Sequence, residues 1–289
     1  MRRFVVTGGA SGIGRATVLA MIDRGWSVGV IDLNEHALAA LAEERAEATA
    51  EGRLVTSRAD VSAEPEMQDA VESFAGGFGG LDGIVNNAGV GGAFGPVVDL
   101  RVEDWDATFA VLTRGVFLGI KHTARILIRQ GGGGSIVNVG SAAGMVGDAG
   151  PQAYSAAKAA VVHMGRVFAA ELAPHRISVN TVNPGLIETP LNPTSGSRPE
   201  SMFATAQPWP EVGRPEHLAQ AILFFASEET GFITGEALCI DGGLTSVGAR
   251  LGTVTGTNSL GFGVVGMNHG TTGRKPEVHG EASAPPGEV

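Results

Sequence analysis

The stretch FVVTGGASGIGRATVLAMI at residues 4–22 holds three pieces whose order decides the fold. Phe4, Val5 and Val6 make a short apolar run suited to a buried strand. TGGASGIG at 7–14 follows at once and places Gly8, Gly12 and Gly14 in the spacing G-x-x-x-G-x-G. A helical pattern then covers 12–24. Glycine permits the tight turn and lets a backbone approach a pyrophosphate. The helix N-terminus adds unpaired N–H donors and the positive end of the helix dipole. A glycine trio alone is weak evidence, but between a strand and a helix it reads as a dinucleotide-binding turn.

Asp32 strengthens that reading. It ends the second candidate strand, 18 positions after Gly14, close to the ~20 expected for a carboxylate that bonds the ribose 2′- and 3′-hydroxyls. A carboxylate there repels a 2′-phosphate, so the expected cofactor is NAD rather than NADP. The alternative role for Asp32 is to cap the helix that starts near Asn34. Ser11 brings no positive charge to the glycine loop, and with Ile13 it joins the three glycines as a cofactor-binding candidate.

Outward from this stretch, short β-branched runs alternate with longer helical patterns, the mark of a parallel sheet wrapped by helices. Strands are expected at 4–6, 27–31, 53–57, 81–86, 135–140, 177–182 and 236–243. Helices are expected at 12–24, around 38–45, at 102–130, at 154–172 and from Pro215 onward. The fold class is α/β, with one catalytic domain over 1–245 and a glycine-rich C-terminal extension over 246–289. Glycine is abundant throughout, 44 of 289 residues. Thirteen in the body cluster after strand ends, where a missing side chain would give a dinucleotide access to the backbone.

Composition narrows the function. A formal charge of −10 with 20 Lys and Arg leaves no concentrated basic surface, which argues against a nucleic-acid or anionic-membrane partner. No run approaches the ~20 apolar residues needed to cross a bilayer. The single Cys239 excludes an internal disulfide framework and fits a reducing cytoplasm. Seven histidines show no metal-ligand spacing, so no metal is expected.

Further motifs lie along the body in a fixed order: Asp60-Val61, NNAG at 86–89, Ser141 in NVGSAAG, YSAAK at 154–158, Asn180 in VNTVNPG and IDGG at 240–243. With TGGASGIG they make residues 3–245 resemble the short-chain dehydrogenase/reductase family. That resemblance implies a doubly wound (Rossmann) seven-stranded parallel sheet, a nicotinamide cofactor, and interconversion of a secondary alcohol and a ketone. The implied catalytic set is Ser141, Tyr154 and Lys158. Asp60 and Val61 would contact the adenine, and Asn87, Ala88 and Gly89 would pass under the adenosine and ribose. Pro184, Gly185, Ile187 and Thr189 would border the nicotinamide. A homo-oligomer, tetramer or dimer, is implied as well.

The residue chemistry agrees. Tyr154 and Lys158 stand at i and i+4 of one helix and so project from one face. A nearby ammonium favours phenolate and lowers a tyrosine pKa from its usual value near 10. Tyr154, the only tyrosine in the chain, can then act as general acid or base. The resemblance further implies that Lys158 would hold the nicotinamide ribose and that Ser141 would orient the substrate oxygen.

The segment 190–212 should cover a small-molecule substrate, because ligands sit outside the carboxyl ends of the strands. Leu191, Met202, Phe203 and Trp209 lie in it, with Phe94, Met145 and Val146 near the same edge. This lining favours an apolar cyclic or steroid-like alcohol or ketone over a phosphorylated or carrier-bound one. The family usually has an Asn in the long helix, thought to hold a water that links the lysine to solvent. Here VLTRGVF places Leu112 at that position. A second reading therefore stays open: an NAD-binding scaffold or regulator with little turnover.

Overall fold

A computed structural model describes residues 1–191, 207–247, 264–267 and 277–281. Two compact units emerge, Met1–Thr245 and Ser246–Val289. The first is built on seven strands: β1 (Arg3–Thr7), β2 (Ser27–Asp32), β3 (Leu54–Arg58), β4 (Gly83–Asn86), β5 (Gly134–Val139), β6 (Ile177–Pro184) and β7 (Ala237–Ile240). They pair in the order β3-β2-β1-β4-β5-β6-β7, and every pair is parallel. Connections run outward from β1 in one direction and then, from β4, in the other. The chain therefore switches direction between β1 and β4, where the loops after the two strands part and leave a crevice.

Alternation along each strand feeds two cores. Phe4, Val6, Val28, Val30, Val137 and Val182 face one side with Val18, Met21, Leu38, Leu41 and Leu223. The helices there are α1 (Gly12–Asp23), α2 (Glu35–Glu44) and α8 (Pro215–Ala226). Val5, Ile31, Ile84, Ile136 and Val179 face the other side with Met67, Phe74, Leu118, Leu127 and Val161. Those last five belong to α4 (Glu64–Phe78), α6 (Gly115–Gln130) and α7 (Gln152–Leu172). Strands covered on both faces are mainly apolar, as the sequence pattern required, and the buried polar residues among them include Asn86, Asn138, Asn180 and Asn183.

Three elements differ from the sequence expectation. Helix α4 has no counterpart in it. Its Met67, Ala70, Val71 and Phe74 form the apolar stripe, and Gly79 ends it in the left-handed region at φ 69°. A short α3 (Ala46–Ala50) also follows α2. The single helix expected over 102–130 is instead α5 (Val102–Phe109), a π turn at Ala110–Arg114, and α6. In the second unit β8 (Val264–Met267) and β9 (Glu277–Glu281) pair antiparallel. No helix among the described residues is long and apolar enough to cross a membrane.

Candidate active site

Thr7 ends β1 beside the crevice and ties its two walls together. Its hydroxyl accepts the Asn87 N–H at 3.0 Å and the Ala88 N–H at 3.1 Å, and donates to the Val85 carbonyl at 3.4 Å. Asn87 Nδ2 donates back to the carbonyls of Thr7 at 3.0 Å and Gly8 at 2.9 Å. The glycine loop and the NNAG turn are thus one hydrogen-bonded unit.

This unit explains two glycines differently from the sequence reading. A Cβ on Gly8, whose φ is +61°, would meet Ala88 Cα at 2.7 Å, and a Cβ on Gly14 would overlap the Gly8 carbonyl oxygen. Gly8 and Gly14 are required by close packing inside the protein, before any ligand arrives. Gly185, against Asp241, and Gly144, against Lys158 and Ala159, are similar. Gly14→Ala is expected to lower stability by about 3 kcal/mol through overpacking, roughly a 10 °C fall in Tm, measurable by calorimetry.

The first turn of α1 stays open. Ser11 is its N-cap, but the Ser11 side chain makes no capping bond and no acidic residue stands in the turn. The N–H groups of Gly12, Ile13 and Gly14 have no partner within the helix and suit an anion. Gly12, at φ +50°, faces Thr189 and Pro190 at 3.4 to 3.7 Å from where its Cβ would be.

Asp32 leans on the glycine loop. Its Oδ2 accepts the Ala10 N–H at 3.1 Å and its Oδ1 the Asn34 N–H at 3.0 Å. Asn34, not Asp32, caps α2 by accepting the Ala37 N–H at 3.1 Å. A carboxylate has about four lone-pair sites, so two bonds leave capacity for ribose hydroxyls. Asp60 Oδ1 accepts the N–H and hydroxyl of Ser62, both at 2.8 Å, and fixes the turn into α4. Val61 beside it is buried against Gly115.

Across the crevice the structure brings Ser141, Tyr154 and Lys158 together. Ser141 follows β5 and accepts the Ala143 N–H at 3.1 Å. Tyr154 and Lys158 sit one turn apart on α7, with Nζ 5.7 Å from the Tyr154 ring centroid. Nζ donates to the Val139 carbonyl at 2.7 Å. Burial pushes the Tyr154 phenol up from its usual pKa, and its hydrogen bond with Ser141 opposes the rise. Burial lowers Lys158 to about 8. The lowering of Tyr154 by the lysine that the sequence reading anticipated does not appear: burial raises the phenol and the Ser141 hydrogen bond is what opposes it.

Sequence reasoning missed Asn183. Fully buried near the end of β6, it accepts the Ser141 N–H on Oδ1 at 3.2 Å and so fixes the serine. The available signal was its place directly before Pro184, at the end of a strand that already carries the buried polar residues Ser178, Asn180 and Thr181. Asn183→Ala is expected to lower turnover about 10-fold, the size of one good hydrogen bond, with cofactor affinity unchanged; steady-state kinetics checks it.

Beyond β6, Gly185 donates its N–H to the Ile240 carbonyl at 3.1 Å. Ile187 is buried and bridges Gly213, closing the base of the segment at 190–212. The far end of that segment docks on the IDGG turn. Trp209 donates its N–H to the Gly242 carbonyl at 3.0 Å, and Asp241 holds the turn by accepting from Gly243 and Thr245. Val90, Phe94, Met145, Leu191 and Trp209 are exposed apolar side chains in the segments around the crevice. Met202 and Phe203, expected in the same lining, lie outside the described residues. Leu112 is fully buried in the π turn. The described residues contain no group of three or more His, Cys, Asp or Glu that could hold a metal.

The open α1 N-terminus and the spare acceptors of Asp32 fit a dinucleotide. Comparison with known proteins agrees at the level of family. Residues 8–245 match a family model described as enoyl-(acyl carrier protein) reductase. The cis-4-hydroxycyclohexanecarboxylate dehydrogenase of Sinomonas cyclohexanicum is 39% identical over 243 residues, covering 84% of this chain and 96% of its own. A 3-oxoacyl-(acyl carrier protein) reductase of Thermotoga maritima is 38% identical over 240 residues, covering 83% and 96%. The crystal structure of levodione reductase superposes with a TM-score of 0.80 at 29% identity, covering 86% of this chain and 98% of its own. With this fold, these motifs and these relatives, the chain belongs to the short-chain dehydrogenase/reductase family of oxidoreductases.

Proposed function

We propose that this protein is an NAD-dependent oxidoreductase that interconverts a secondary alcohol and a ketone on an apolar cyclic or steroid-like substrate. The observation that carries the reading is the convergence of Ser141, Tyr154 and Lys158 across the crevice from an uncapped glycine-loop helix. A bound nicotinamide supplies the hydride acceptor or donor.

The chain's own residues do the rest. The α1 N-terminus and the glycine loop hold the pyrophosphate. Asp32 accepts the adenosine ribose hydroxyls and selects against a 2′-phosphate. Asp60, Val61, Asn87, Ala88 and Gly89 line the adenosine side, and Pro184, Gly185, Ile187 and Thr189 the nicotinamide side. Ser141 Oγ orients the substrate oxygen. Tyr154 takes the alcohol proton on its phenolate oxygen, or returns it to a ketone as a phenol. Lys158 stabilises the phenolate and bonds the nicotinamide ribose.

Apolar residues near the crevice support the substrate class. Val90, Phe94, Met145, Leu191 and Trp209 include no cation to meet a phosphate or a carrier protein's acidic surface. One relative named above acts, by its name, on a hydroxylated cyclohexane. A cytoplasmic homo-oligomer, tetramer or dimer, belongs to the same reading. The test is a panel of cyclic secondary alcohols with NAD, followed by the absorbance of reduced cofactor. Turnover that favours ring alcohols over acyl-carrier thioesters supports the reading.

Leu112 favours one other reading, a scaffold that binds NAD and turns over little. NAD binding with no turnover on the whole panel, unaltered by Tyr154→Phe, would select it.

A further inference from the structure

Lys158 is 4% exposed and its ammonium has three hydrogens to place. One reaches the Val139 carbonyl of β5. Leu112 borders the same small space: a methyl group on Gly89 would touch Leu112 Cδ2 at 3.4 Å and Lys158 Nζ at 4.0 Å. Leucine offers no donor or acceptor. The neighbouring hydroxyl of Thr113 is engaged by the Ala157 carbonyl at 3.5 Å.

Among the described residues, the elements around the ammonium bring no countercharge. Val139 and Ser141 come with β5, Gly89 follows β4, and Leu112 stands in the π turn. Tyr154 is the titratable group beside it, and Arg114 of the same π turn is exposed to solvent. Burial is the single cause of the lysine's shift. The π turn itself inserts an extra residue into the helical path and so sets where Leu112 falls.

We propose that Leu112 is a positioning residue: it closes the π-turn side of the Lys158 pocket with an apolar wall, so that in the cofactor-free chain the ammonium finds no polar partner on that side. The inference rests on the roles of Tyr154 and Lys158 given above. Its consequence is a lysine that becomes fully charged when the cleft supplies further acceptors. The sign follows from the two proton affinities. Lys158 in the folded, cofactor-free chain holds its proton to about pH 8, against an ordinary 10.5. Between those values the unfolded chain binds more protons, so this group's contribution to stability rises with pH across that window.

The chain makes the test unusually clean, because it has three lysines, Lys121, Lys158 and Lys275, and one tyrosine. The full chain without cofactor is labelled with 13C at the lysine ε-carbons and titrated by NMR. The Lys158 signal is assigned by its loss in Lys158→Gln. Tyr154 ionisation is followed in parallel by ultraviolet absorbance.

Leu112→Asn is expected to raise the proton affinity of Lys158 about tenfold, one pH unit, and to lower the pH at which Tyr154 ionises. Leu112→Met, still apolar, should leave both titrations at their wild-type positions. Leu112→Ser is read in the same way should the Asn variant not fold. Unchanged Lys158 and Tyr154 titrations in a folded Asn or Ser variant would overturn the proposal, as would a wild-type Lys158 that titrates like an ordinary lysine. Neither cofactor nor substrate is needed, so this failure is distinct from failure of the oxidoreductase reading, which would appear as absent turnover with both titrations as expected.

Discussion

Tyr154→Phe is expected to lower turnover about 1,000-fold, within the range that general acid–base groups contribute, while the protein stays folded. The substitution removes one oxygen and keeps the ring. The lost hydrogen bond to Ser141 should change stability by no more than about 1 kcal/mol. NAD affinity should change little, because Lys158 and the glycine loop are untouched. Steady-state kinetics with a cyclic alcohol, paired with a thermal melt, separates the two effects. The pH profile follows the same chemistry. Burial holds the phenol above its ordinary value, so alcohol oxidation should rise with pH as Tyr154 loses its proton. Ketone reduction, which needs the phenol, should fall over the same range.

The second large effect is cofactor choice. Wild-type protein is expected to prefer NAD over NADP by about 100-fold in kcat/KM. Two charges about 4 Å apart repel by ~4 kcal/mol at an effective dielectric near 20. Asp32 is partly exposed, which reduces this to about 2–3 kcal/mol. Asp32→Ala should bring the ratio to within about tenfold. Affinity for both cofactors should fall as well, because the Ala10 and Asn34 N–H groups lose their shared acceptor. The ratio, measured with each cofactor at fixed alcohol, is therefore the informative quantity. A wild-type ratio near one would remove Asp32 from this role.

Much of the fold is legible in the chain because its strongest signals are local. Phe4–Val6, the glycine loop and the helix after it lie within twenty residues, and the β-branched strand runs repeat along the body. Tyr154 and Lys158 are legible because YSAAK at 154–158 and Ser141 belong to the family's pattern, and their i, i+4 spacing puts them on one helix face. What stayed hidden depends on distant contacts. Helix α4 is held by the burial of Met67, Ala70, Val71 and Phe74 in the core, while Ala63 gives it no side-chain cap and Gly76 and Gly77 weaken its pattern. The π turn at Ala110–Arg114 interrupts what reads as one continuous helix. The packing requirement at Gly8 and Gly14 shows only when Ala88 and the Gly8 carbonyl are seen against them. Asn183 lies one residue past the strand expected at 177–182, and its role shows only when Ser141, 42 positions earlier, donates to it. The lowered proton affinity of Lys158 likewise needs its burial, which no spacing rule conveys.

Isotope transfer follows the hydride from the carbinol carbon to the cofactor. The protein is incubated with NAD and a cyclic secondary alcohol deuterated at the carbinol carbon, and the reduced cofactor is examined by mass spectrometry. One deuterium per reduced nicotinamide, formed with an equal amount of ketone and almost absent with Tyr154→Phe, is the predicted result. NAD that binds but gains no deuterium from any alcohol of the panel would contradict the account.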